Sequence, residues 1–310
     1  MNISSANAAS AAWSPRPDRK PVTDIRPASA ASKSEPSLAA PSHNLLLRVA
    51  SAAVMAPAAV FVTWLGDWPF AVFWALAAIA VLWEWTHIVA GPRYPLMLAS
   101  GASAIVGAAL IGWRHHPITA LLFVGLGALA SAIFAPGERR PWVVGGIVYA
   151  GGMLLAPMLL RTDPNYGRVA ILLLFAIVWA TDIIAYFAGR AIGGLKLAPN
   201  ISPKKTWSGA IVGTVGAILA ALGVAQFLGA FDKGTIAVVA LLLSIMAQLG
   251  DLFESWVKRQ FGVKDSSHLI PGHGGLMDRL DGFWAAAVAG CVVGLVRGGF
   301  DNAARGLLIW

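Results

Sequence analysis

The sequence predicts an all-α, polytopic integral membrane protein of about nine transmembrane helices, with its N-terminus in the cytoplasm and its C-terminus outside. Three observations carry this expectation. Of 310 residues, 57% are hydrophobic and only 12% are charged, and the mean hydropathy is +0.69; a soluble domain would hold roughly 25% charged residues. The apolar residues come in runs of about 20, the length a helix needs to cross the hydrocarbon core, and not in the short alternating segments of a membrane β-barrel. Lys and Arg are unevenly shared between alternate connections. With the N-terminus inside, the cytoplasmic segments hold Arg16, Lys33, Arg93, Arg139, Arg190, Lys196, Lys204, Lys205, Lys258, Arg259, Lys264 and Arg279 among others. The opposite side holds only Arg114, Arg161, Arg168, Lys233, Arg297 and Arg305.

Residues 1–43 are rich in Ala, Ser and Pro, too poor in apolar side chains to pack a core, and are expected to form a disordered cytoplasmic tail. They do not read as a signal peptide, because the first apolar run starts near Leu45 and is long enough to span. An N-terminal transmembrane region, 44–165, follows with spans Val49–Leu65, Trp68–Ala90, Pro95–Trp113, Pro117–Ala135 and Pro141–Leu160. The last two are rich in Gly and Ala, which suits close helix packing. A C-terminal transmembrane catalytic region, 166–310, holds spans Arg168–Gly189, Trp207–Ala230, Gly234–Ser255 and Gly282–Val296. Cys291, the single cysteine, lies in the last span, so neither an intrachain disulfide nor a cysteine metal site is expected, and a packing role is. The net charge of +8 falls mainly where anionic lipid headgroups lie. The membrane therefore accounts for the basicity, and a nucleic-acid partner is not expected.

Ionisable side chains inside spans are costly and mark function. Glu84 and His87, in "LWEWTHIV", read as an interfacial pair among tryptophans. Asp182, in "VWATDIIAYFAGR", shares a helix face with Tyr186 and Gly189 and lies about two turns, on the order of 10 Å, from the helix end; it reads as functional. Asp251, Glu254, Ser255 and Lys258 form one polar face in "AQLGDLFESWVKR". In "PNISPKKTWSGA", Ser202 suits a helix N-cap and Pro203 a first helical residue, which would put Lys204, Lys205 and Thr206 in the first turn. Cations there oppose the helix dipole unless an anion, most often phosphate, sits in front of them. The predicted topology brings the connections 190–206 and 256–281 to the same side. Carboxylates, cations and glycines gathered there are the parts of a metal-assisted phosphoryl-transfer site.

The segment "SWVKRQFGVKDSSHLIPGHGGLMDRLD", Ser255 to Asp281, resembles the signature of the phosphatidate cytidylyltransferase (CDP-diacylglycerol synthase) family. Ser255, Lys258, Arg259, Lys264, Asp265, His273, Gly274, Gly275, Asp278, Arg279 and Asp281 stand at its fixed positions. "SPKKTW" and "WATDIIAYFAGR" resemble the family's other cytoplasmic-side motifs. The motifs cover only about Arg168 to Asp281; the N-terminal half matches in being hydrophobic. One departure is Ser208, where the family commonly has Glu.

The resemblance implies that CTP and phosphatidate give CDP-diacylglycerol and pyrophosphate at the cytoplasmic face of a bacterial inner membrane. The nucleophile would be the lipid phosphomonoester, whose second pKa is about 6, so no protein nucleophile is required. Mg²⁺ would assist on the triphosphate. Asp251 and Asp278 are the expected metal ligands, with Asp281, Asp182 and Asp265 behind them. Lys205, Lys258, Arg259, Lys264 and Arg279 are expected on phosphates; Ser202, Lys204, Lys205, Gly274 and Gly275 are expected to bind nucleotide. His273 either donates to a phosphate or fixes its loop, and His268 reads as a solvated loop residue. The expected partners are CTP, a phosphatidate lipid and the membrane, with a second copy of the chain (a homodimer) as a further candidate. A cytidylyltransferase for another lipid phosphate is the alternative. A CDP-alcohol phosphotransferase is discounted because "DGFWAA", from Asp281, lacks the arginine of D-G-x-x-A-R. A transporter would place polar residues near the midplane in repeated halves, whereas here they crowd at one face.

Overall fold

A backbone in hydrocarbon must satisfy its own N–H and C=O groups, so apolar runs that cross a bilayer become helices. The structure, a computed structural model, describes residues 41–310 apart from 92–94, 230, 268 and 270–273. Of the expected tail, residues 1–40 lie outside the described residues, as do His268 and His273. The helices are α1 (Pro41–Leu65), α2 (Asp67–Val89), α3 (Pro95–Trp113), α4 (Pro117–Phe134), α5 (Arg140–Thr162), α6 (Gly167–Ile192), α7 (Trp207–Leu228), α8 (Lys233–Gln260), α9 (Met277–Gly298) and α10 (Ala303–Leu308). Among the described residues, eight helices, α2 to α9, are long and apolar enough to cross a membrane, and α1 carries a shorter apolar stretch, Ser51–Leu65. The chain is an all-α polytopic membrane protein, as the sequence predicts.

Local chemistry sets the breaks. Pro117 opens α4 at a position where a missing N–H costs nothing. Gly193, at φ +67°, ends α6 in a conformation side chains resist. Asp232 caps α8: its carboxylate accepts the Thr235 N–H at 2.6 Å, a bond that holds its pKa below the usual range.

The expected helix start at Ser202 does not form. Ser202–Thr206 is a strand, β2, paired antiparallel with β1 (Lys196–Ala198), with Lys196 opposite Thr206 and Ala198 opposite Ser202. The N-cap of α7 is Thr206, whose hydroxyl accepts from Gly209 N at 3.2 Å. Two plausible caps compete in this sequence. Pro203, lacking an N–H, is also tolerated in a two-stranded ribbon, where each strand keeps a free edge. Lys204 and Lys205 therefore stand on an extended strand, and the helix-dipole argument for them falls.

Helices in lipid gain little from burying apolar area against one another, so close backbone packing holds them. A Cβ on Gly209 would come within 2.6 Å of the Ala185 carbonyl, and one on Gly213 within 2.8 Å of the Thr181 carbonyl, so α6 and α7 touch backbone to backbone. α8 and α9 meet in the same way, with Gly250 against Asp281 and Gly282 against Ala247. A polar ladder crosses α6, α7 and α8: Thr181 and Ser244 hydroxyls lie 2.8 Å apart, Ser244 donates to Thr214 at 3.1 Å, and Gln248 donates to Thr214 at 2.9 Å. Aromatic rings tie the N-terminal helices to α9, with Tyr149 stacked on Trp284 at 4.1 Å and Trp74 on Phe283 at 4.8 Å. Cys291 is buried in this packing, as expected.

Candidate active site

A cavity of ≈ 800 Å³ opens where α6 and α8 finish and α7 and α9 begin, bordered by the β1–β2 hairpin. The two helix faces marked in the sequence both line it: Asp182, Tyr186 and Gly189 from α6, and Asp251, Glu254, Ser255 and Lys258 from α8. α9 adds Asp278, Arg279 and Asp281; the hairpin adds Lys196, Lys204 and Lys205; Arg190 closes the end of α6. The spacing i, i+3, i+4, i+7 puts each set on one side of its helix. The glycine contact between α8 and α9 then brings their acidic ends together.

Charges this close to a membrane interior persist only when paired and hydrogen-bonded. Lys205 pairs with Asp251. Lys258 Nζ lies 2.8 Å from Glu254 Oε2 and 2.5 Å from Asp278 Oδ1. The second oxygen of Asp278 accepts from Ser266 N at 3.1 Å, Ser266 Oγ at 3.0 Å and Gly275 N at 3.0 Å. Asp281 accepts the Gly282 N–H at 2.7 Å, and Asp251 lies 3.4 Å from the Ser255 hydroxyl.

Several nominated residues stand away from the cavity lining. Arg259 is exposed and donates to the Val263 carbonyl at 3.0 Å; Lys264 and Asp265 are exposed on the α8–α9 connection. Ser202 sits on β2 outside the lining. Gly274, at φ +87°, and Gly275 have internal reasons to be glycine: a Cβ on Gly275 would come within 2.6 Å of Glu84 Oε1. His273 lies outside the described residues. Ser208, the departure from the family motif, bonds to the Gly193 carbonyl and lies 3.0 Å from the Thr206 hydroxyl, tying the start of α7 to the end of α6.

Glu84 corrects the sequence reading most. It does not stand among the headgroups as a surface side chain: it is fully buried within the protein, at 0% exposure. Its oxygens accept from Ser266 Oγ at 3.1 Å, Ser267 Oγ at 2.5 Å, Leu276 N at 2.8 Å and Met277 N at 2.7 Å. The flanking Trp83 and Trp85 suggested a headgroup location, yet Trp85 is buried and donates to the Trp142 carbonyl at 2.8 Å. The usable signal was a lone carboxylate in an apolar span. Its partner, in a signature loop on the far side of the sequence, was not legible. Gln248, Arg190 and Lys196 also line the cavity without having been nominated.

The donor set fits a hard divalent cation, because it is made of carboxylate oxygens. Glu254 Oε1, on a residue only 1% exposed, has no hydrogen-bond donor, an acceptor a cation would satisfy. Among the described residues no three acidic, His or Cys side chains form a closed metal cage. Mg²⁺ is commonly held by one or two carboxylates, with substrate phosphates and water completing the shell; here Asp251 meets Lys205, and Asp278 shares Lys258 with Glu254.

Residues 46–295 match the sequence model of the cytidylyltransferase family. A phosphatidate cytidylyltransferase of Brucella abortus (strain 2308) is 43% identical over 245 residues, spanning 79% of this chain and 91% of that protein. One from Haemophilus influenzae is 34% identical over 276 residues, spanning 77% of this chain and 94% of that protein. One from Rickettsia felis is 38% identical over 170 residues, spanning 52% and 74%. The family match starts in α1, so the likeness extends well beyond the motifs of the C-terminal half.

Proposed function

We infer the reaction from the premise that the chain belongs to the cytidylyltransferase family: it transfers CMP from CTP to phosphatidate, giving CDP-diacylglycerol and pyrophosphate. A phosphate oxygen of the lipid monoester attacks the α-phosphorus of CTP. The bond from that phosphorus to the bridging oxygen of the β-phosphate breaks, and pyrophosphate leaves with the electron pair. The lipid phosphate supplies the nucleophile, being close to its dianion at neutral pH because its second pKa is about 6.

The observation that carries this reading is the shape and charge of the cavity. It opens at one end of the membrane bundle, so a water-borne triphosphate and a membrane-borne phosphate can both reach it. Lys204, Lys205, Lys258, Arg190, Lys196 and Arg279 line it and suit the triphosphate and the departing pyrophosphate. Asp251 and Asp278 would hold Mg²⁺, which when bound neutralises phosphate charge and orients the triphosphate. Lys258, fixed between Glu254 and Asp278, is oriented before substrate arrives. The cavity end faces the cytoplasm of a bacterial inner membrane, the orientation the Lys and Arg distribution supports.

The deciding experiment is direct. Detergent-solubilised protein with labelled CTP, phosphatidate and Mg²⁺ should release pyrophosphate and form CDP-diacylglycerol, and excess EDTA should stop both. No product with any lipid phosphate would sink the enzyme reading, and turnover that persists in EDTA would sink the metal part alone.

A further inference from the structure

We propose that Glu84, on α2 and outside the cavity lining, is a positioning residue for Asp278, acting through the hydroxyl of Ser266. The inference rests on the reading of Asp278 as part of the reaction centre.

Four neutral donors meet the Glu84 carboxylate, and their arrangement is specific. Oε1 accepts from Ser267 Oγ and Leu276 N; Oε2 accepts from Ser266 Oγ and Met277 N. Each oxygen thus joins one serine after α8 to one amide at the start of α9. Those amides have no acceptor inside their own helix, and the helix dipole favours a carboxylate there. The N-terminus of α9 is therefore already occupied by an anion of the protein itself. α2, which delivers that anion, is itself fixed to α9 by the Trp74–Phe283 stack.

The link to Asp278 runs through one proton. A serine hydroxyl has a single donor, and Ser266 Oγ lies 3.1 Å from Glu84 Oε2 and 3.0 Å from Asp278 Oδ2. The two carboxylates share it. When Asp278 engages a cation, the Ser266 proton has a second acceptor waiting, and no buried donor is left unsatisfied. Without Glu84, Ser266 has only Asp278, and the ends of the connection lose what holds them against α2. Gly275 belongs to the same device, since any side chain there would collide with both Ser266 and Glu84.

Two measurements on the full-length protein test this. In Glu84→Gln the amide group presents N–H where donors point, so the contact cannot be kept intact. Hydrogen exchange at the Leu276 and Met277 amides should speed up about tenfold or more, and the Mg²⁺ concentration for half-maximal rate should rise about tenfold or more, the scale of effects for groups that orient metal ligands. The KM for CTP should move much less. Ser266→Ala should shift the Mg²⁺ requirement in the same direction, and the double variant should be no worse than the poorer single variant, because both act on one path. Unchanged exchange at the two amides overturns the proposal. So do additive losses with an unshifted Mg²⁺ requirement, which would make Glu84 a staple of the fold only. If Glu84→Gln does not fold, Ser266→Ala decides: an unshifted Mg²⁺ requirement there overturns the proposal. The exchange measurement needs no turnover, so an inactive wild-type protein would sink the reaction reading while exchange still decides the role of Glu84.

Discussion

Gly250 on α8 lies directly against the carbonyl oxygen of Asp281 on α9: a Cβ on Gly250 would stand 2.5 Å from that oxygen and 2.5 Å from the Ala285 side chain. The acidic ends of two helices are thus brought together by backbone contact. Asp251 follows Gly250 directly, so any separation of the helices moves a candidate ligand. Gly250→Ala should destabilise the protein by about 1–3 kcal/mol, the usual cost of overpacking, and should lower turnover as well. Gly125→Ala is the control, since a Cβ there meets nothing within 4 Å. Thermal unfolding in detergent and CDP-diacylglycerol synthesis measure the two effects. A Gly250→Ala protein with unaltered melting and rate would show that the crossing does not hold the site.

Lys258 is the cation between two carboxylates, Glu254 at 1% side-chain exposure and Asp278 at 12%. Removing one partner from such a buried pair costs about 3–5 kcal/mol, because the remaining charge is stranded. Lys258→Met should therefore reduce the yield of monodisperse protein sharply. Adding Glu254→Gln removes one stranded charge and should restore much of the yield without restoring turnover. Size-exclusion profiles and the activity assay separate the two. A single Lys258→Met variant that folds as well as wild type would contradict the buried pairing.

What the sequence revealed depended on whether the signal was local. Hydrophobic runs are local, and the spans from α2 to α9 follow them closely. Helical spacing is local too: the faces carrying Asp182 and Asp251 both line the cavity. Ser202 was the expected cap, yet Thr206 caps α7, because pairing with Lys196–Ala198 holds Ser202–Thr206 as a strand, which no helix rule sees. Glu84 was visible as an anomaly, but its meaning lay in amides and hydroxyls far along the chain. Likewise the need for glycine where α8 crosses α9 lies in carbonyls of the opposing helix, Asp281 facing Gly250 and Ala247 facing Gly282.

Orientation can be measured with single cysteines in a Cys291→Ala background. Leu195, on the connection after α6, is 81% exposed, and Leu269, between α8 and α9, is 51% exposed; Asp301 is exposed beyond the far end of α9. With the cavity facing the cytoplasm, Leu195→Cys and Leu269→Cys should react with an impermeant maleimide only after the membrane is opened. Asp301→Cys should react in intact spheroplasts. Labelling of Leu195→Cys and Leu269→Cys from opposite sides would break the common face on which the mechanism depends.

The metal assignment is the sharpest test. Asp251 and Asp278 each face a lysine, Lys205 and Lys258, so two roles compete: ligand to a cation or partner to a lysine. Asn keeps the shape of Asp and loses the charge that holds the ion. Asp251→Asn and Asp278→Asn should each lower turnover by roughly a hundredfold or more, while Asp301→Asn, at the other end of α9, should do little. Loss of a ligand weakens the ion, so the residual rate should keep climbing at Mg²⁺ concentrations that saturate wild type. Loss of a lysine partner instead displaces Lys205 or Lys258, lowers folding yield and leaves the Mg²⁺ dependence where it was. Folded Asn variants with wild-type Mg²⁺ dependence would therefore remove these two residues from the metal and leave them as the lysines' partners.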